Sequence, residues 1–356
     1  MIHPPEKVAD ESKSWRRWAA MFAIVWLGGL VGSYLFVILI DPYGLFPFSI
    51  PVDRPVLDYS QRYMHAAVVT SQRFDSIVVG TSTSGLLDPR LLDDEFGGRF
   101  ANLTMASATA WEQQAIINFF IRKVGPPKVL VVGLDRVWCE QDPNHNRSPR
   151  NLPEWMYDDN PWNDYLYMLN TKAVDLARRL VAYRLGYYRP PLRADGYQSF
   201  VPDESQYDLQ KARQHIWGGD GNPVMPPENV PPALSLEERA ALSFPTLPWL
   251  DTVLSKLPAS SRKVLVFMPV HVAEQFRPGI TGVGAECKDR IAGIARRRGA
   301  SLIDWRIPSV LTREDSNYWD SLHFRLPVAD RIVRDTARAV IHGHPSQDKT
   351  YELTVP

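Results

Sequence analysis

The sequence predicts an α/β domain on a mostly parallel sheet, preceded by one N-terminal transmembrane helix and carrying a long insertion. Three observations predict it. An unbroken apolar run of about 23 residues extends from Trp18 to Ile40. Short, near-continuous apolar strands then alternate with helical periodicity, the pattern of strands buried on both faces. Finally, from about 140 to 248 the alternation gives way to Pro, Asn, Asp and aromatic residues, an excursion typical of a lid or substrate-binding insertion.

The apolar run carries no charge and, at about 1.5 Å per residue, is long enough to cross a hydrocarbon layer of about 30 Å. Lys13, Arg16 and Arg17 precede it and Asp41 and Pro42 end it, so the basic flank is expected to stay cytoplasmic. A cleavable signal is the competing reading. The run is longer than an h-region of about 7–15 residues and no A-x-A site follows, which favours a retained anchor. The expected layout is a cytoplasmic tail over 1–17, the span over 18–40, a linker over 41–70, the α/β domain over 71–342 and a C-terminal tail over 343–356. This places a single-pass protein in a bacterial inner membrane with its domain in the periplasm.

Within the domain, strands are expected at Ser76–Val79, Phe100–Leu103, Val129–Leu134, Lys263–Pro269 and Ser301–Trp305. Helices are expected at Trp111–Arg122, Ala285–Arg298 and Val328–His342, with another near Thr171–Leu185 inside the insertion. A Pro-rich piece near 222–233 reads as mobile. The 356 residues are 45% hydrophobic, enough for a packed core. Lys plus Arg and Asp plus Glu number 40 each, so no basic field points to nucleic acid. Cys139 and Cys287 show neither a CxxC nor a metal-site spacing, and no metal or cofactor is expected. The pair reads as two buried thiols, with a disulfide permitted outside the cytoplasm.

The chemistry concentrates in two stretches. In 75-DSIVVGTSTSGLLDPRLLD-93 an apolar strand runs into Gly80-Thr81-Ser82-Thr83-Ser84-Gly85. The carboxyl ends of parallel strands form the ligand crevice, so Ser82 stands where a reaction would occur. A serine hydroxyl needs a base to become a nucleophile. In 316-SNYWDSLHFRLP-327, Asp320 precedes His323 by three residues, a spacing that lets the carboxylate sit at Nδ1 while Nε2 faces outward. Capping and turn formation are the structural alternatives for these residues. Ser84 reads as a helix cap or substrate neighbour. His271 lies at the same sheet edge, where it contacts either substrate or core. Arg90 and Arg136 flank the crevice loops and could meet anionic sugars, and Trp111, Trp138 and Tyr318 could stack on a sugar ring, although packing is the default for each.

With Gly80-Thr81-Ser82, Asn102-Leu103 and Asp320-Ser321-Leu322-His323 the sequence resembles the SGNH (GDSL-like) esterase and acyltransferase superfamily. Within it, the likeness is to membrane-anchored, polysaccharide-associated members related to the alginate O-acetylation proteins. The resemblance covers roughly 70–135 and 260–342 and implies a three-layer SGNH-like fold. It implies Ser82 as nucleophile, His323 as general base and Asp320 as its orienting acid. The superfamily's oxyanion donors are the nucleophile's N–H, a glycine amide and an asparagine side chain. Their nearest counterparts are the N–H of Ser82, Thr104-Met105-Ala106-Ser107 with the Ser107 amide, and Gly133-Leu134-Asp135. An ionised Asp135 can only accept a hydrogen bond. The expected function is extracytoplasmic O-acyl transfer to, or ester hydrolysis on, a polysaccharide, without a cofactor. The resemblance also implies an acyl donor supplied by a multipass membrane acyltransferase. The alternative is a catalytically weak or inactive glycan-binding or assembly protein of the same fold. A phosphate cradle would need GxxxxGK[ST] or GxGxxG, and neither is present.

Overall fold

Strands β1 (Ser76–Val79), β2 (Phe100–Asn102), β3 (Val129–Leu134), β4 (Arg262–Phe267), β5 (Ser301–Asp304) and β6 (Glu352–Thr354) form one sheet in the order β2-β1-β3-β4-β5-β6. The computed structural model describes residues 6–48, 50, 53–141, 152–223, 234–275 and 281–354. The first five strands are parallel, with Ile77 opposite Leu130 and Val264 opposite Ser301, and only β6 runs antiparallel, at the edge beside β5. The chain enters at β1, moves outward to β2, then returns past β1 to β3. The reversal makes the carboxyl end of β1 a topological switch point, where open α/β sheets bind ligands.

The helices, in chain order, begin with α1 (Glu6–Ile40), α2 (Gln61–Thr70), α3 (Ser82–Gly85), α4 (Pro89–Phe96) and α5 (Ala110–Lys123). The insertion supplies α6 (Glu154–Tyr157), α7 (Pro161–Tyr167), α8 (Thr171–Arg184), α9 (Leu209–Trp217), α10 (Leu236–Ala241) and α11 (Leu247–Ser255). The chain closes with α12 (Val272–Gln275), α13 (Thr281–Arg298), α14 (Val310–Arg313) and α15 (Leu326–His342). Side chains alternate across the strands as the pleat requires. Ile77, Val79, Leu130, Val132, Leu265 and Phe267 join one apolar core with α2, α5, α8, α11 and α13. Val78, Val129, Val131, Val264 and Val266 join a second core with α4 and α15. Helices therefore cover both faces, which is why the central strands are apolar without a break.

α1 is one long helix whose stretch Ser14–Ile40 is long and apolar enough to cross a membrane, and most of its side chains are exposed. Its last turn differs, because Val37 and Ile38 are buried in the domain core. Asp41 ends the helix in a left-handed conformation, φ 44°. Its carboxylate accepts the N–H groups of Gly44 (2.9 Å), Leu45 (3.1 Å) and Phe46 (2.9 Å) and turns the chain.

Two segments read from the sequence as peripheral belong to the domain. The expected linker over 41–70 holds α2, whose Met64, Ala66 and Ala67 are fully buried. The expected tail over 343–356 holds β6. The Pro-rich piece near 222–233 lies outside the described residues from 224 onward. The reading of two buried thiols is also corrected, since Cys139 and Cys287 form a disulfide with Cα atoms 5.7 Å apart. It ties the turn after β3 to α13 across 148 residues of sequence. Such a long closed loop is stabilised by the bond because the unfolded chain loses more freedom.

One buried carboxyl makes stability depend on pH. Asp164 sits on the inner side of α7, 7% exposed, and its Oδ1 has no hydrogen-bond partner among the described residues. Burial, joined by the charges of Asp158 and Asp41 and opposed by Lys123, raises its pKa to about 7. The folded carboxyl holds its proton to higher pH than the unfolded one, whose ordinary value is about 3.9. Its contribution is therefore complete below about pH 4 and is lost as pH rises to about 7. Asp164→Asn is expected to flatten this dependence and to stabilise the full chain in detergent by about 1–2 kcal/mol at pH 8. Thermal melts of both proteins from pH 5 to 8 check it, and parallel curves would refute it.

Candidate active site

β1 ends at Val79 and the chain turns at once into α3, whose first residue is Ser82. The turn is tight because β1, β3 and α3 approach within the width of a hydrogen atom on glycine. A Cβ on Gly133 would lie 1.7 Å from Ser84 Oγ, and one on Gly80 would lie 2.4 Å from it. Ser84 is thus a packing residue, fully buried, its Oγ without a hydrogen-bond partner among the described residues. Gly133→Ala is expected to destabilise the domain by about 3 kcal/mol, since the added methyl would overlap both Oγ and Cβ of Ser84. Urea unfolding of the full chain in detergent measures this, and a loss under about 1 kcal/mol would refute it.

Ser82 points to the loop that precedes α15. Its Oγ lies 2.8 Å from His323 Nε2. His323 Nδ1 faces both oxygens of Asp320, at 2.8 Å and 3.0 Å. The Asp320 carboxylate also accepts the N–H groups of Leu322 and His323, each at 2.8 Å, so its position is fixed by the loop's own backbone. Burial works to raise the Asp320 pKa. The hydrogen bond and charge of His323 and the two backbone amides outweigh it and hold the carboxyl below its ordinary value. With Asp320 ionised, Nδ1 carries the ring proton and Nε2 is left to accept one from Ser82. The structure thus brings together Ser82, singled out by its strand-end turn, and Asp320 and His323, singled out by their spacing.

The remaining candidates serve other ends. Asn102 is not a donor to a ligand, because its Nδ2 donates to the carbonyls of Gly85 and Leu87, both at 3.1 Å. Its Oδ1 accepts from the N–H and hydroxyl of Thr104, so it ties β2 to the nucleophile turn. Asp135 accepts the hydroxyl of Thr81, beside Ser82, and the N–H of Val137 at 3.0 Å. Burial pushes its pKa up, against the Arg306 charge, the Thr81 hydroxyl and the Val137 N–H. It braces the residue next to the nucleophile. His271 is fully buried between Trp217 and Tyr318 and is not brought to Ser82. Its Nδ1 accepts from the Ala273 N–H, while Nε2 lies 3.2 Å from Asp315 Oδ1 but off the line of a hydrogen bond. Trp138 and Tyr318 are core residues, and Arg90 and Arg136 are exposed.

Two backbone amides remain as candidates for oxyanion donors. Ser82 opens α3, where a backbone N–H has no helical partner. Ser107 occupies an exposed turn in a left-handed conformation, φ 54°, and its N–H makes no hydrogen bond among the described residues. The turn is held from both sides. Met105 N–H donates to Gly80 O at 3.1 Å, and Ala106 N–H to Gln61 Oε1 at 2.8 Å. Arg62, paired with buried Glu112 at 2.6 Å, donates to Ala106 O. The segment taken for a linker thus shapes the site.

The sequence marked the insertion as a lid or substrate-binding element but did not show which of its residues reach the site. Phe200 sets its ring edge-on to His323, centroids 5.1 Å apart. α9 reaches the base through Asp315, which accepts Arg213 Nε at 2.9 Å and Trp217 Nε1 at 3.1 Å. The His271 N–H donates to Ser321 O at 2.9 Å, holding the same loop from the end of β4. Arg306 was a findable signal, a charged residue two positions after β5 in SLIDWR. Its Nε donates to Met268 O at 3.0 Å, which lays the side chain across the end of β4 toward Asp135. Among the described residues no group of three or more His, Cys, Asp or Glu forms a metal site. No protein-family model, curated protein or solved structure matches the chain.

Proposed function

We propose that the chain is a membrane-anchored serine acyltransferase or esterase of SGNH-like, three-layer architecture. The observation that carries this reading is the continuous relay of 2.8 Å contacts from Ser82 Oγ through His323 to Asp320. His323 takes the Ser82 proton as Oγ bonds to the acyl carbon, and the oxyanion falls to the N–H groups of Ser82 and Ser107. Collapse breaks the bond to the leaving group, which departs with the proton from His323. An acceptor hydroxyl then gives its proton to His323 and attacks the acyl-enzyme, and collapse breaks the bond to Ser82 Oγ, which takes that proton back from His323. Water in place of the acceptor gives hydrolysis.

The setting is extracytoplasmic. The basic flank before α1 supports a cytoplasmic N-terminus, and the Cys139–Cys287 disulfide supports an oxidising compartment for the domain. The acceptor is a polysaccharide hydroxyl and the donor acyl group arrives from a multipass membrane partner, both on the strength of the motif resemblance. Phe200 packs edge-on against His323, where an apolar wall would help a transferase favour an acceptor over water.

The test is covalent trapping. Full-length protein in detergent is treated with an aryl phosphonofluoridate and digested for mass spectrometry. One adduct is expected, on the peptide containing Ser82, and it is expected to vanish in His323→Ala. A folded protein that forms no adduct would exclude an activated serine.

A further inference from the structure

We propose that α7 is a membrane-interface helix, its outward face seated among lipid headgroups and upper acyl chains beside the exit of α1. The inference rests on α1 crossing the bilayer and is independent of the chemistry at Ser82.

α7 is reversed relative to a water-facing surface helix. Trp162 and Leu166, four residues apart and so on one face, are 79% and 72% exposed, and Leu169 continues that face. The inward face carries Asp164 and Met168, both buried. An amphipathic helix in water places its acid outside and its leucine inside. Here the carboxyl is buried and the apolar residues are outside, an arrangement that suits a face met by something other than water.

The level of α7 is fixed by its contact with α1. Tyr34 of α1 donates its hydroxyl to Tyr165 O at 2.9 Å. Tyr34 is six residues from the end of α1, about 9 Å along the axis at about 1.5 Å per residue. The apolar run from Trp18 is about 34 Å long, and the hydrocarbon is about 30 Å thick, so its outer boundary falls within the last turns of α1. The protein bonded to Tyr34 therefore lies at that boundary. The last two turns confirm the overlap, because Val37 and Ile38 face the domain while Leu35 and Leu39 are each 51% exposed. Lipid on one side of these turns and protein on the other must share one depth.

An aromatic group surrounds the contact. Tyr165 stacks on Phe46 (4.4 Å) and Phe48 (5.9 Å), and Trp162 lies 6.2 Å from it. Phe48 and Ile50 are 56% and 47% exposed, and the Ile50 N–H returns to Leu39 O at 3.4 Å, which keeps this segment against α1. Trp and Tyr are the residues that membrane interfaces favour. Asp158, Asp159 and Asn160 precede α7 and suit the headgroup layer, with Asp159 paired to Arg122 at 2.8 Å.

The experiment places a spin label at single introduced cysteines in the full chain, reconstituted in phosphatidylcholine nanodiscs. The native cysteines are disulfide-bonded and do not react with the label. Trp162→Cys and Leu166→Cys test the face, Leu27→Cys reports the middle of α1, and Leu236→Cys, 85% exposed on α10, reports water. Collision with oxygen relative to a water-soluble nickel chelate is expected to be several-fold higher at 162 and 166 than at 236, with a depth about 5–10 Å into the boundary. Nickel access at 162 and 166 equal to that at 236, while 27 remains lipid-exposed, overturns the proposal and leaves the span intact. Shielding of both positions from both reagents means that protein covers the face, and also overturns it. A water-accessible 27 removes the span and the proposal together.

Discussion

Ser82→Ala is expected to lower kcat/KM for 4-nitrophenyl acetate by about 10³–10⁶, the range seen when a relay serine is removed. The measurement uses the full chain in detergent. Ser82 Oγ is the only oxygen within 2.8 Å of His323 Nε2 among the described contacts, so no neighbour inherits its role. Thr83 and Ser84 are buried, and Ser84 is wedged behind the turn. His323→Ala is expected to cost as much, and the double variant no more than either single one, because the two act as one unit. A single variant that kept a tenth of the wild-type rate would sink the assignment. Additive losses would separate the two residues into independent roles.

Asp320→Asn is the second large effect, a loss of about 10⁴ in kcat with the fold preserved, as for the equivalent change in a serine protease. The Asn oxygen can still accept the N–H groups of Leu322 and His323 at the Asp320 Oδ1 position, so the loop keeps its shape. Its amide nitrogen then faces His323 Nδ1, and two donors cannot share that contact. The ring responds by moving its proton to Nε2, where it blocks Ser82. Asp320→Ala removes the orienting group without enforcing the wrong tautomer and is expected to be less inactive than Asn. The order of the two variants, with melting temperatures to confirm folding, decides between a tautomer effect and simple loss of packing.

The parts of this structure legible in the sequence are those that local chemistry decides. The central strands were readable because burial on both faces leaves only apolar residues, as in VLVVGL of β3. The grouping of Ser82, Asp320 and His323 was readable because Ser82 follows the end of β1 and because Asp320 and His323 lie three residues apart in the loop before α15. β6 was not, since Glu352–Thr354 is too short and polar to stand out and is defined only by its pairing with β5. The disulfide was not, since pairing depends on Cα atoms brought to 5.7 Å by folding and not on spacing in the chain. Asn102 and His271 stand at the sheet edge where the sequence put them, and for His271, which the sequence left open between substrate and core, the structure gives the core. Proximity to a crevice does not reveal whether a side chain's hydrogen bonds are already taken, and for Asn102 two backbone carbonyls take them.

The convergence on Asp315 has a consequence for the order in which the protein becomes functional. Its carboxylate joins Arg213 and Trp217, 102 and 98 residues earlier in the chain, to the loop that holds the base. Contacts of such separation close late in folding, after the loop entropy between them has been overcome. The nucleophile turn is built from neighbouring strands and can form early, while its base stays unplaced until the insertion has docked. A chain still unfolded therefore carries Ser82 with no partner, and on the proposed function the power to attack an ester would arise only once the whole domain is assembled.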